Sequence, residues 1–195
     1  CLTVKTYKDN RYAHEAIIRD EEGNEIAENC KIMQLKYVVL TMVDRDDLED
    51  DGASQFAATI MAIRKISPLT SIEVLVPDFI GSPDAIDTVL KAGPDVLNHN
   101  IESVPRLHWK VKPKSDYGVS LNLLKRSKEL NPDIYTKSGI MVGLGESASE
   151  VYSLMKDLRD VNCDILTIGQ YLRPSQKHMP VLDYVTPDQF KEYQR

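Results

Sequence analysis

Asn100 and Glu102 stand two residues apart just past an apolar run, and alternation along an extended segment points both side chains to one side. An amide and a carboxylate so placed can hold the amino group and hydroxyls of a ligand, or they can tie their own loop. Gly143-Leu144-Gly145 precedes the capping box Ser147-x-x-Glu150. Backbone N–H groups in such a turn can meet a carboxylate or a ribose, and a plain tight turn also fits. Thr41 leads into Asp44-Arg45-Asp46-Asp47, a charged loop suited to a cofactor or to a local ion pair. Gln170 and Tyr171 close another apolar run, facing either a ligand or the following loop. His99, between two asparagines, is a structural histidine or a ligand contact. Lys137 is the evident amine for covalent chemistry within a strand.

Those groups share a position. Lys137 apart, each follows one of the apolar runs 36–40, 95–97, 134–142 and 164–168, and Pro77-Asp78-Phe79 follows run 72–76 in the same way, which is how barrel strands deliver side chains to a ligand-facing rim. Helical patterns lie between the runs: Ile26, Cys30 and Met33; Phe56, Ile60 and Ile63; Ile86, Val89 and Leu90. Ser82-Pro83 reads as an N-cap and first-turn proline with Gly93 as the stop. A helix from about Tyr117 to Leu130 ends at Asn131-Pro132, and Val151, Leu154, Met155 and Leu158 line one face of the next. About five strand–helix alternations require parallel strands joined by right-handed crossovers. Five strands are too few for a closed eight-stranded barrel, so an open or partial barrel, or a piece of a longer protein, is expected. No linker or repeat divides residues 1–195, which are expected to form one domain.

A chain of 195 residues, 42% hydrophobic, supports a sizeable core. The net charge of -6 argues against nucleic-acid or anionic-membrane partners. No apolar run approaches the roughly 20 residues that span a bilayer, and the first residues are too polar for a signal peptide. Cys1, Cys30 and Cys163 are widely separated and form no Cys-x-x-Cys pair, so neither a disulfide framework nor a complete metal site can be read from them, and a reducing compartment is the default. Cys30 lies on its helix's apolar stripe, as a small buried hydrophobe would.

Several motifs, in this order, resemble the lipoyl synthase family of radical S-adenosylmethionine enzymes. They are Tyr37-Val38-Val39-Leu40-Thr41, Val43-Asp44-Arg45-Asp46-Asp47-Leu48, Pro77-Asp78-Phe79, Asn98-His99-Asn100-x-Glu102, Val104-Pro105-Arg106, Lys137-Ser138-Gly139, Met141 to Glu146, and Thr167-x-Gly169-Gln170-Tyr171. The resemblance runs from about Glu25 to Arg195. It implies an α/β fold, a partial TIM-like (β/α)6 barrel, with about five of its strands in this sequence. It implies a sulfurtransferase that inserts two sulfur atoms into a protein-bound octanoyl chain, with S-adenosylmethionine and two [4Fe-4S] clusters as cofactors. The partner implied is an octanoylated lipoyl-carrier domain, and the location cytoplasmic, or mitochondrial or plastid in a eukaryote.

Carried over by motif, the cofactor-binding residues are Thr41, Asp44, Arg45, Asn100, Glu102, Lys112, Gly143, Gly145 and Gln170. Cys1, before Leu2-Thr3-Val4-Lys5-Thr6, resembles the last cysteine of the family's Cys-x-x-x-Cys-x-x-Cys cluster motif, with its spacing off by about one residue. The cysteine triad for the second cluster and the family's C-terminal serine segment do not occur in this sequence, so the chain as it stands is expected to be inactive alone. Lys112 stands where the family commonly has arginine, exchanging a forked guanidinium for a point charge. Met42 replaces a small polar residue. The alternative is a barrel-derived binding or scaffold protein that has lost its cluster, and a third reading is a cofactor-independent lyase built on Lys137.

Overall fold

A computed structural model describes residues 20–43, 45 and 47–195. Among the described residues five parallel strands, β1 (Tyr37–Thr41), β2 (Ser71–Leu75), β3 (Val96–Asn98), β4 (Tyr135–Val142) and β5 (Ile165–Gln170), form one sheet in sequential order. β1 and β5 do not pair, so the sheet curls without closing, as a partial TIM-like barrel does. The register runs Thr41 beside Leu75, Leu75 beside Asn98, Asn98 beside Lys137, and Val142 beside Gln170.

Among the described residues seven α-helices accompany the strands: α1 (Asp20–Ile32), α2 (Ala53–Ile66), α3 (Pro83–Lys91), α4 (Pro105–Val111), α5 (Tyr117–Leu130), α6 (Ala148–Asp160) and α7 (Pro187–Gln194). Their boundaries follow local chemistry. The Ser82 side chain caps α3 ahead of Pro83, Asp116 accepts from two backbone N–H groups at the start of α5, and Ser147 with Glu150 completes a capping box on α6. α2, α3, α5 and α6 bury Phe56, Ile60, Ile63, Ile86, Val89, Leu123, Leu124, Val151 and Leu154. Against them lie Val38, Leu40, Ile72, Val74, Ile140 and Val142 from alternate positions of the strands.

Two details differ from the sequence reading. α1 stops at Ile32, so Met33 falls in the following turn and is exposed rather than on the buried stripe. α4 was not expected, because seven residues are too few to show a period; the signal was Val104-Pro105, a proline at the first helical position. The charged loop's Asp44 and the proposed cluster ligand Cys1 lie outside the described residues.

Candidate functional site

The strand positions opposite the helix-covered ones line the inside of the curl, and three of them converge on the carboxylate of a fourth. Glu73 of β2, 2% exposed, accepts from Tyr37 Oη at 2.5 Å, Asn98 Nδ2 at 2.8 Å and Lys137 Nζ at 2.9 and 3.2 Å. Burial alone would push this carboxyl up, but the three donors outweigh it and hold it below the ordinary glutamate value. β1, β2, β3 and β4 are thereby tied through one side chain. Lys137 is clasped by both oxygens of Glu73, so its amine is directed at that carboxylate and not at an open site, as a Lys137-based lyase would need.

Asn100 and Glu102 lie one step further toward the C-terminal mouth. Glu102 bridges to β4 through its backbone, donating N–H to Gly139 O at 2.9 Å and accepting from Met141 N at 2.8 Å. This pairing holds Glu102 at φ 72, a left-handed conformation uncommon for a residue with a side chain. Asn100 leans over β4 at Gly139, where an added Cβ would lie 2.6 Å from Asn100 Oδ1 and 3.0 Å from Thr167 Oγ1. Gly139 is required there by close approach rather than by flexibility. At Gly169, on β5, a Cβ would meet nothing within 4 Å, so the wall beside the mouth is bare backbone. Burial raises the Glu102 carboxyl, while Lys112 and Asn100 pull it partly back.

Lys112 caps the end of α4, with Nζ 3.5 Å from His99 Nε2. His99 itself is fully buried, Nδ1 facing Val76 O at 2.9 Å and Nε2 facing Ser120 Oγ at 2.9 Å. A carbonyl only accepts, so Nδ1 carries the proton and Nε2 accepts. His99 is therefore a tether between β2, β3 and α5, and burial with the Lys112 ammonium lowers its pKa to about 4. Thr41 closes β1, half-buried at the same mouth. Arg45 follows it and forms a two-pronged ion pair with Asp47, both contacts at 2.7 Å. A small cavity of about 60 Å³ between Arg45, Asp78 and Lys112 has room for one small group.

Gly143, Gly145 and Gln170 hold a different part of the rim than the sequence reading gave them. The Glu146 carboxylate accepts from Gly143 N at 2.5 Å and Leu144 N at 3.0 Å, so those N–H groups face the chain's own acid and not an open ligand site. Gln170 donates to Tyr171 O and Asp183 O and accepts from Val185 N, tying β5 to residues 182–185. At Gly143 (φ 100) a Cβ would fall 2.3 Å from Gln170 Nε2, and at Gly145 (φ 98) 2.8 Å from Leu182 Cδ1. The glycines let this strap lie flat on the turn. Glu146 and Glu73 were missed by the sequence reading. A glutamate within an apolar strand was the available signal for Glu73.

Cys30 is fully buried near the end of α1 beside Leu35, and Cys163 precedes β5 with Sγ against Thr136 O and Ile165 O. Both thiols lie at the end of the sheet opposite the mouth. Among the described residues no group of three His, Cys, Asp or Glu is placed to hold a metal.

Residues 5–158 match the model of the radical SAM superfamily. The chain is 58% identical to the lipoyl synthase of Caldanaerobacter subterraneus over 93% of its own length and 63% of that protein's. It is 49% identical to that of Caldicellulosiruptor saccharolyticus over 99% and 68%, and 54% identical to that of Neisseria meningitidis over 100% and 61%. The chain thus spans roughly two thirds of these relatives. In fold it is similar to methylornithine synthase, with a TM-score of 0.67 at 16% identity over 84% of this chain and 47% of that one. Coproporphyrinogen III oxidase from Escherichia coli, a radical SAM enzyme, gives a TM-score of 0.63 at 14% identity over 100% of this chain and 45% of that one. A polar mouth on an open parallel barrel, the superfamily match over most of the chain and identity of about half to the curated relatives place this chain in the lipoyl synthase family of the radical SAM superfamily.

Proposed function

We propose that this chain is the catalytic barrel of a lipoyl synthase, which replaces two hydrogens of a protein-bound octanoyl chain with sulfur. The observation that carries the reading is the partly buried Asn100, Glu102 and Lys112 group at the barrel mouth, in a chain of this family. S-adenosylmethionine held here would supply, on one-electron reduction by an iron–sulfur cluster of the whole protein and release of methionine, a carbon radical able to take hydrogen from an unactivated methylene, which no side chain can do.

The mouth fits that cofactor. Glu102, whose carboxyl is raised by burial, accepts from the cofactor's amino group or ribose hydroxyls and gains a partner for its charge. Asn100 stands beside it, lodged over Gly139. Lys112 would meet the cofactor's carboxylate as a point charge, Thr41 and Arg45 border the mouth on the β1 side, and the bare backbone at Gly169 would leave space for a flat base. Gly143, Gly145 and Gln170 shape the rim from behind by seating residues 182–185. The described residues do not fit an iron–sulfur cluster, because their two thiols lie at the far end of the barrel. Cluster ligation by Cys1 and the family's two clusters stay with the whole protein. The partner in this reading is an octanoylated carrier domain. No described helix is long and apolar enough to cross a membrane, and the bacterial relatives support a cytoplasmic location.

The test is S-adenosylmethionine binding by the whole protein carrying Asn100→Ala or Glu102→Gln. Each is expected to raise Kd about tenfold or more, the loss of one hydrogen bond to a charged group. The melting temperature should stay within about 2 °C, because Glu102 holds its loop through backbone atoms and its ionised carboxyl, raised in the fold, subtracts stability at neutral pH. Loss of stability in step with loss of binding would make these residues loop braces instead.

A further inference from the structure

The segment from Pro105 to Lys114 carries Arg106, Lys110, Lys112 and Lys114 and no acid, in a chain whose net charge is -6. Arg106 is paired with Glu150. Trp109, the one tryptophan of the sequence, is 65% exposed on α4, with Lys110 Nζ 5.3 Å from its ring centre. An exposed indole with a lysine over its ring, on a basic segment, is an unusual surface for a protein to keep without a partner, since aromatic anchors with a polar surround are the make-up of interface centres.

A strained turn lies next to it. Phe79, Ile80 and Gly81 all have positive φ, with Ile80 at φ 50, ψ 27. A β-branched residue there is a genuine outlier. The turn is over-determined: Asp78 accepts from Ile80 N at 3.1 Å and Ser115 Oγ at 2.6 Å, Ser82 N donates to Phe79 O at 2.8 Å, and the Phe79 ring is buried. The result is an isoleucine held 70% exposed at the barrel rim. Strain that displays an apolar side chain points to something it meets. Ile80 lines one cavity with Lys112 and Lys114, and α4, which carries Trp109 and Lys110, leads directly into that segment through its C-cap Lys112. The nearby acids are engaged locally, Asp78 as above and Asp116 in capping α5.

We propose that Ile80, Trp109, Lys110 and Lys114 form the docking surface for an acidic face of the protein that presents the acyl-lysine. This rests on the lipoyl synthase reading and goes beyond it by placing the partner on α4 and the turn after β2. The surface's charge selects an acidic occupant, and the chain's negative total disfavours a nucleic acid or an anionic membrane. Docking beside Lys112 sets a long lysine arm at the mouth, while the cations steer approach.

The experiment uses the whole enzyme with two substrates, an octanoylated carrier domain and a short uncharged peptide bearing octanoyl-lysine. Ile80→Gly is the sharpest variant, because glycine accepts the left-handed turn without strain and the fold should be as stable or more so. Ile80→Gly, Trp109→Ala and the Lys110→Glu/Lys114→Glu pair are each expected to raise the carrier's Kd about tenfold or more, as for interface hot spots. Carrier binding by the parent should weaken with salt, and by the charge-reversed pair should not. Turnover of the peptide should be unchanged. An unchanged carrier Kd, or peptide turnover falling in step, would overturn the docking surface. Carrier binding that depends on these residues without sulfur insertion into either substrate would keep the surface and overturn the functional reading.

Discussion

Glu73→Ala should lower the unfolding free energy by about 3 kcal/mol, the largest loss expected from a polar substitution in this barrel. The carboxylate is buried and is the shared acceptor for Tyr37, Asn98 and Lys137, so its removal strands three donors from three strands at once. Breaking a buried pair by deleting one partner costs about 3–5 kcal/mol. The lower end applies here because the Lys137 side chain is 23% exposed and finds some water. Glu73→Gln should cost less, since it keeps an acceptor and the shape while losing the charge. Joint replacement by Glu73→Leu and Lys137→Met should recover only the part of the loss that belongs to Lys137, because Tyr37 and Asn98 stay without their acceptor. Urea midpoints at unchanged m-value measure all three. A loss under about 1 kcal/mol for Glu73→Ala would mean that the four-strand tie adds little to packing.

Acid should unfold the protein in two overlapping stages, the first belonging to His99. The folded pKa of this imidazole is about 4, against an ordinary value of 6.5, because it is buried and the Lys112 ammonium faces it, with His108 adding to the effect and Asp78 opposing it. A base whose folded pKa is depressed favours the folded state while neutral. Its stability is fully present above pH 6.5 and is lost as pH falls from there to about 4, on the order of 3 kcal/mol across that window. His108 is also lowered by burial and acts in the same sense. The difference between the parent and His99→Gln therefore isolates His99. Urea unfolding at a series of pH values should show the parent losing stability faster than the variant between pH 6.5 and 4. The second stage comes below the ordinary glutamate value, where Glu73, held low by its donors, takes a proton and the four-strand tie fails. Parallel slopes for parent and variant would show that His99 titrates in solvent, against its geometry.

The alternation of strands and helices was legible because each strand is a short apolar run and each helix carries its own punctuation, as at Ser82-Pro83 and Ser147-x-x-Glu150. α4 was not, being shorter than two full helical repeats. At the mouth, Asn100 and Glu102 do lie together beside β4, but through a left-handed turn at Glu102 (φ 72) and not the extended alternation expected from their spacing. The glycine turn and Gln170 read differently in space. Their N–H groups and amide meet Glu146 and residues 182–185, partners that sequence distance concealed. Lys137 read as a free amine for the same reason. Its partner Glu73 lies 64 residues earlier, and only the register of β2, β3 and β4 brings the two side chains together.

The central claim is that this barrel serves sulfur insertion into a carried octanoyl chain, and the mass of the carrier tests it most directly. The whole protein, reconstituted with iron and sulfide and given S-adenosylmethionine, a reductant and an octanoylated carrier domain, should yield a carrier in which two sulfurs have replaced two hydrogens. Glu102→Gln should reduce that product together with 5′-deoxyadenosine. A carrier of unchanged mass in the presence of abundant 5′-deoxyadenosine would place this chain with a different radical reaction and contradict the account.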